Sequence, residues 1–178
     1  MLKKLLFPIS AIVLFITVAA VTFFLVSGQT TENDVNNAST AELFAMSLPD
    51  ENGQQQAISQ WKDKIIVLNF WATWCPPCRE EMPELSALNT EWHDKNVIVL
   101  GIALDEISLI KEFDEENNIS YPLLAAEETG ANLAFNLGND KSALPFTVII
   151  KPDGTIAKTY FGRISKALLE ETLVKLAI

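Results

Sequence analysis

A chain of 178 residues in which 49% of side chains are apolar holds enough material for one ordinary core and a short appendage. Its 23 acidic side chains outnumber 13 basic ones, for a formal charge of −10, so a polyanion would meet repulsion where a nucleic-acid binder gains from counterion release. Nucleic acid is not an expected partner, and the acidity by itself indicates only a soluble, self-repelling surface.

The first element in chain order is an uncharged apolar run from Leu5 to Val26, preceded by Lys3 and Lys4. As a helix it would be about 33 Å long, close to the thickness of a bilayer's hydrocarbon layer. Residues 1–27 therefore read as an uncleaved signal-anchor. The competing reading is a removed signal peptide, for which Val26-Ser27-Gly28 or Val18-Ala19-Ala20 offers small-residue cleavage sites. Under either reading the two lysines stay in the cytoplasm and the rest crosses. The expected location is a single-pass membrane protein with its domain in the periplasm or another extracytoplasmic space. Residues 28–41 are polar and aperiodic and read as a flexible linker, which leaves 42–178 as the domain.

Within that domain, Leu43 to Leu48 reads as a short strand entering a turn at Pro49 to Gly53. Ile65 to Phe70 is a nearly continuous apolar run, suited to a strand covered on both faces. Pro76 to Trp92 carries Met82, Leu85 and Leu88 at helical spacing, with Pro83 inside the pattern as a source of a kink. A second buried strand follows at Val97 to Leu104. A helix over Ile107 to Asn118 has Ile107, Ile110 and Phe113 on one face, and a short strand is expected at Tyr121 to Ala125. Glu127 to Leu137 is helical and stops at Gly138. Leu144 to Ile150 is a strand with Pro145 near its start, and Lys151 to Gly154 turns the chain into a hairpin with Thr155 to Phe161. An amphipathic helix, Ser165 to Leu176, closes the chain with Ser165 as its N-cap. The order implies an α/β fold, a mixed sheet between layers of helices.

The chain's two cysteines, Cys75 and Cys78, stand in WATWCPPCREEMP. A purely structural disulfide would close too short a loop to stabilise much. Structural zinc would need about four ligands, and His93 is the only histidine available beside the two thiols. Two small buried hydrophobes are a third reading, and redox chemistry is the fourth and favoured one. Pro76 suits the first helical position because its missing N–H would be unpaired there anyway, which places Cys75 at the N-cap. The helix dipole then favours its thiolate. Cys75 is the expected nucleophile, and Cys78, one turn in, the shielded resolving thiol. No metal is assigned, and the only cofactor is the Cys75–Cys78 disulfide itself. Arg79 supports the thiolate, while Glu80 and Glu81 read as a solvated first-turn face. His93 falls near a helix end and is given no catalytic role.

At LNFWATWCPPCREEMPEL the sequence resembles the thioredoxin superfamily, and most closely its membrane-anchored TlpA/ResA-like thiol-disulfide oxidoreductases. The Leu144-Pro145-Phe146-Thr147 segment, the KPDGTI hairpin and the closing helix support the likeness. The resemblance implies a thioredoxin-like sheet with an extra helix and strand, Ile107 to Ala125, inserted centrally. It implies a cis proline at Pro145 facing the cysteines, and a substrate groove formed by Trp74, Pro76, Pro77, Leu144 and Pro145, with Trp71 a further aromatic beside the site. It implies reduction of specific protein disulfides, such as those of apocytochrome c, with electrons delivered by a transmembrane donor. Thioredoxins often carry a buried aspartate where Asn69 stands, and asparagine cannot titrate. The resemblance points instead to Glu106, or Asp105 beside it, for proton transfer. Two alternative functions use the same sulfurs: a Cu(I)-delivery module and a thiol oxidase.

Overall fold

The computed structural model describes residues 40–176, which fall within one compact unit. The anchor expected over residues 1–27, and all but the last two positions of the linker, lie outside them. Among the described residues, no helix is long and apolar enough to cross a membrane.

Residues 40–45 are helical, and β1 follows at Ser47–Pro49. The strand expected from Leu43 is therefore displaced, because Ala41, Glu42, Leu43, Ala45 and Met46 are good helix formers and Leu43 packs fully buried as a helical residue. β2, Gln55–Ala57, pairs antiparallel with β1. A 3₁₀ turn, Ile58–Trp61, then buries Ile58 and Trp61. The polar composition of Gln54 to Gln56 gave no strand signal.

The main sheet contains β3 (Ile65–Trp71), β4 (Val97–Ala103), β5 (Leu123–Ala125), β6 (Phe146–Ile150) and β7 (Ile156–Phe161), in the order β5-β4-β3-β6-β7. β3, β4 and β5 are parallel; β6 and β7 run antiparallel to their neighbours. Burial runs unbroken along β3 and β4, as their continuous apolar sequences require. β5 begins two residues later than expected because Pro122 lacks the N–H a ladder needs.

Helices α1 (Pro76–Trp92), α2 (Ile107–Asn117), α3 (Glu127–Asn136) and α4 (Lys166–Leu176) cover the sheet. On one face Val67, Trp71 and Val99 pack with Met82, Leu85 and Leu88 of α1, Ile110 of α2, and Leu169 and Leu173 of α4. On the other face Ile66, Leu68 and Phe70 pack with Leu43, Trp61 and Leu133. Period-two alternation along β3 thus feeds two separate cores. α1 and α2 occupy the expected spans to within a residue, with Pro83 inside α1. Ser165 caps α4 through a 3.4 Å bond from Leu168 N–H to its Oγ. The expected mixed sheet flanked by helices is observed, including the extra helix and strand, α2 and β5.

Candidate active site

β3 ends at Trp71, and four residues later Cys75 stands at the N-cap of α1 with extended backbone angles, φ −95° and ψ 102°. The turn is held by Cys75 N–H donating to Ala72 O at 3.1 Å and Arg79 N–H donating to Cys75 O at 3.2 Å. Pro76 and Pro77 follow as the first two helical residues, where neither missing N–H breaks a helical bond. Cys75 and Cys78 form a disulfide with Cα atoms 5.3 Å apart. Cys78 is fully buried, and Cys75 is only 4% exposed. The nucleophile expected at the helix start is therefore reached through a groove rather than from open surface.

That groove has a volume of about 410 Å³. The motif supplies one wall, with Trp74, Cys75, Pro76 and Pro77; Leu104, Ala134 and Leu144 lie among the residues opposite. Trp74 stands 66% exposed, a large apolar surface beside the sulfur. Leu144 precedes Pro145 through a cis peptide bond, the isomer that the resemblance implied.

The far wall is shaped by how α3 ends. Gly138 has φ +107°, and Asn139 N–H reaches back to Ala134 O at 2.9 Å while Gly138 N–H reaches Phe135 O at 3.0 Å. This paired closure uses a residue free to adopt the left-handed region. The buried Asn139 then clasps the loop, donating to Ala143 O at 2.9 Å and accepting from Ala143 N–H at 3.0 Å. An apolar trough with a few fixed polar groups suits an extended polypeptide carrying a disulfide.

Three residues after Cys78 on α1 stands a carboxyl group that sequence reasoning placed in solvent. Glu81 is fully buried. Its Oε1 accepts from Asn69 Nδ2 at 2.7 Å, and its Oε2 accepts from Ile164 N–H at 2.8 Å. Asn69 Nδ2 also donates to Thr147 Oγ1 at 3.0 Å. Burial pushes Glu81 up to about 7, against the pull of the Ile164 and Asn69 donors and of the Arg163 charge. The reading of Glu80 and Glu81 as one solvated face is corrected for Glu81. Glu80 remains exposed, 3.3 Å from Arg163. The signal was spacing: Glu81 lies three residues after Cys78 and four before Leu85, on the face that α1 buries.

Asp105 and Glu106 occupy different settings. Asp105 is buried, and its Oδ2 accepts from Thr73 N–H at 2.6 Å, clamping the loop that leads into the cysteines. Glu106 is exposed at the N-cap of α2. Removing the clamp leaves the Thr73 N–H without its acceptor, so Asp105→Ala should lower unfolding free energy by about 1–3 kcal/mol and Asp105→Asn, which keeps an oxygen, by less. Urea denaturation of the two variants checks this ordering.

Comparison with known proteins identifies the frame that carries this geometry. The model of the AhpC/TSA family matches residues 40–159. The chain belongs to that family, within the thioredoxin superfamily. It is 31% identical over 169 residues to thiol-disulfide oxidoreductase ResA of Oceanobacillus iheyensis, covering 93% of this chain and 86% of that protein. It is 32% identical over 130 residues to thioredoxin-like protein YneN of Bacillus subtilis, covering 71% and 74% respectively. Among solved structures, a thiol:disulfide interchange protein of the thioredoxin family from Chlorobium tepidum TLS superposes with a TM-score of 0.67 at 26% identity, over 75% of this chain and 93% of that one.

This AhpC/TSA member is a thiol-disulfide oxidoreductase of the ResA type. Its cysteines sit where the redox reading requires, one at a helix start and one shielded behind it. Among the described residues, no cluster of three or more histidine, cysteine or carboxylate side chains is arranged to hold a metal ion. His93 is exposed, beyond the far end of α1, about 25 Å along the helix from Cys75, too distant to join the two sulfurs as a ligand.

Proposed function

We propose that this protein is a membrane-tethered, extracytoplasmic reductant of specific protein disulfides, with apocytochrome c among its clients and a transmembrane donor as its source of electrons. The N-terminal apolar run supports the tether. The observation that carries the catalytic reading is the buried Glu81 on the same helical face as Cys78, the thiol paired with the groove-lining Cys75.

In the reduced protein the Cys75 thiolate attacks one sulfur of the client's disulfide. A mixed disulfide forms, and the client's other sulfur leaves as a thiolate that takes up a proton. Cys78 then gives its proton to the Glu81 carboxylate, and its thiolate attacks the Cys75 sulfur. This step releases the second client thiolate and leaves the Cys75–Cys78 disulfide. The client has gained two electrons. The donor returns two electrons to the oxidised protein, breaking the Cys75–Cys78 bond to two thiolates, and Glu81 gives its proton back to Cys78, so that Cys75 is again the thiolate. A carboxyl group titrating near about 7 is matched to accept and return a proton at neutral pH. Asn69 and Ile164 orient it, and Asp105 holds the approach loop. In this scheme Glu81 replaces Asp105 and Glu106 as the proton acceptor. The dithiol is its own electron carrier, and the scheme calls on no separate cofactor.

Equilibration with glutathione tests the direction. A reductant should show a potential well below about −200 mV, whereas a value near about −120 mV would mark a thiol oxidase and overturn the proposal. Anaerobic Cu(I) titration tests the copper module, which requires tight stoichiometric binding that Cys78→Ser abolishes.

A further inference from the structure

Three polar atoms in the core have no hydrogen-bond partner among the described residues: Asn69 Oδ1, Trp71 Nε1 and Tyr121 OH. Asn69 and Trp71 are fully buried, and Tyr121 is 4% exposed. Leaving such an atom unpaired forfeits its hydration with nothing in return, and buried polar atoms in natural proteins are nearly always satisfied. The three are chemically complementary, since the amide oxygen accepts, the indole N–H donates, and the phenol does either.

Asn69 and Trp71, two residues apart on β3, share one face of the sheet. Asn69 of β3 is paired laterally with Thr147 on one side and Gly101 on the other. Its NH₂ group is committed to Thr147 Oγ1 and Glu81 Oε1, so its oxygen points away from those partners. A Cβ built on Gly101 would stand 2.8 Å from Leu123 Cδ2, 3.1 Å from Trp71 Nε1 and 3.2 Å from the Tyr121 ring. The glycine therefore lets the indole nitrogen and the phenol ring descend onto the strand next to Asn69. Tyr121 is also within electrostatic reach of Glu81, and burial pushes its phenol well above the ordinary range, so that it keeps its proton.

We infer that Asn69 Oδ1, Trp71 Nε1 and Tyr121 OH bind one internal water beside Gly101, and that through it Trp71 and Tyr121 act as positioning residues for Glu81. A water held by three polar atoms is a stable constituent of a protein core. By donating to Asn69 Oδ1 it fixes the amide in the orientation whose N–H faces Glu81. Without that hold the amide is fixed only through its NH₂ group, by Thr147 Oγ1 and Glu81 Oε1. The water site stands on geometry alone, while its catalytic consequence rests on the proposed role of Glu81.

The test uses the oxidised protein and two readouts independent of turnover. Nuclear Overhauser contacts from water to the Trp71 indole proton report a resident water. Titration of the ¹³C-labelled Glu81 carboxyl reports positioning, with Arg163 and Glu84, the charges that also act on it, left unchanged. The expected result is a long-lived water contact in the wild type. In Tyr121→Phe, which removes one oxygen, that contact should weaken or vanish and the Glu81 midpoint should move upward, because the carboxylate loses a fixed donor. Absence of the water contact in the wild type overturns the site. A contact that is present, with a Glu81 midpoint unmoved in Tyr121→Phe, overturns the positioning role. Neither result bears on whether Glu81 itself is needed for turnover, which Glu81→Gln decides separately.

Discussion

Cys78→Ser should arrest the reaction at the mixed disulfide, leaving a client protein covalently held on Cys75, while Cys75→Ser should form no adduct at all. The difference follows from placement. Cys75 lines the groove, and the fully buried Cys78 does not, so a client sulfur reaches the first and only Cys75 reaches the second. Both variants should reduce insulin at less than about 1% of the wild-type rate, since neither completes a two-thiol cycle. Non-reducing electrophoresis and intact mass measure the adduct. Trapping by Cys75→Ser rather than Cys78→Ser would reverse the assigned order of attack. The mass of a natural adduct from Cys78→Ser also identifies the client, including whether an apocytochrome is among them.

The second large effect is expected at Glu81. Glu81→Gln removes the base that accepts the Cys78 proton, and loss of a positioned general base lowers rates by about 10²–10⁴-fold. The wild-type rate of mixed-disulfide resolution should rise with pH through a midpoint near about 7, and the variant should lack that limb. Stability should change with pH in the opposite sense. Because burial raises the folded carboxyl from 4.5 to about 7, the folded state binds more protons than the unfolded chain across that window. Its stability is greatest below the unfolded value and falls as pH rises, by about 3 kcal/mol in all. Denaturant titrations at several pH values should show this slope in the wild type and a flatter profile in Glu81→Gln. An unchanged rate limb in the variant would remove Glu81 from the mechanism.

How much of this was legible in the sequence depended on whether local pattern or tertiary position decided the outcome. The buried strands at Ile65 and Val97 and the helix from Pro76 were readable because hydrophobic runs, helical spacing and proline placement all pointed the same way. The cysteine pair was readable for the same reason. The helix over residues 40–45 was missed because a short apolar stretch suits strand or helix equally, and its burial against the sheet decides the matter. Glu81 was missed because its charge was weighed above its position on the helix. Asn69 stands where thioredoxins often carry an aspartate, and a proton-transfer carboxyl was sought after β4, whereas the carboxyl hydrogen-bonded to Asn69 comes from α1. That pairing is made in space, over twelve residues of chain, and no local pattern records it.

The two walls of the groove come from different parts of the chain. The sulfurs stand at the junction of β3 and α1, whereas Ala131, Ala134, Ser142 and Leu144 arrive on α3 and on the segment from the loop that Asn139 clasps to the start of β6. Substitutions on that second wall change the shape offered to a visiting chain without displacing either cysteine or Glu81. Choice of client and speed of electron exchange are thus separately adjustable, and relatives that share this chemistry have physical room to serve different proteins.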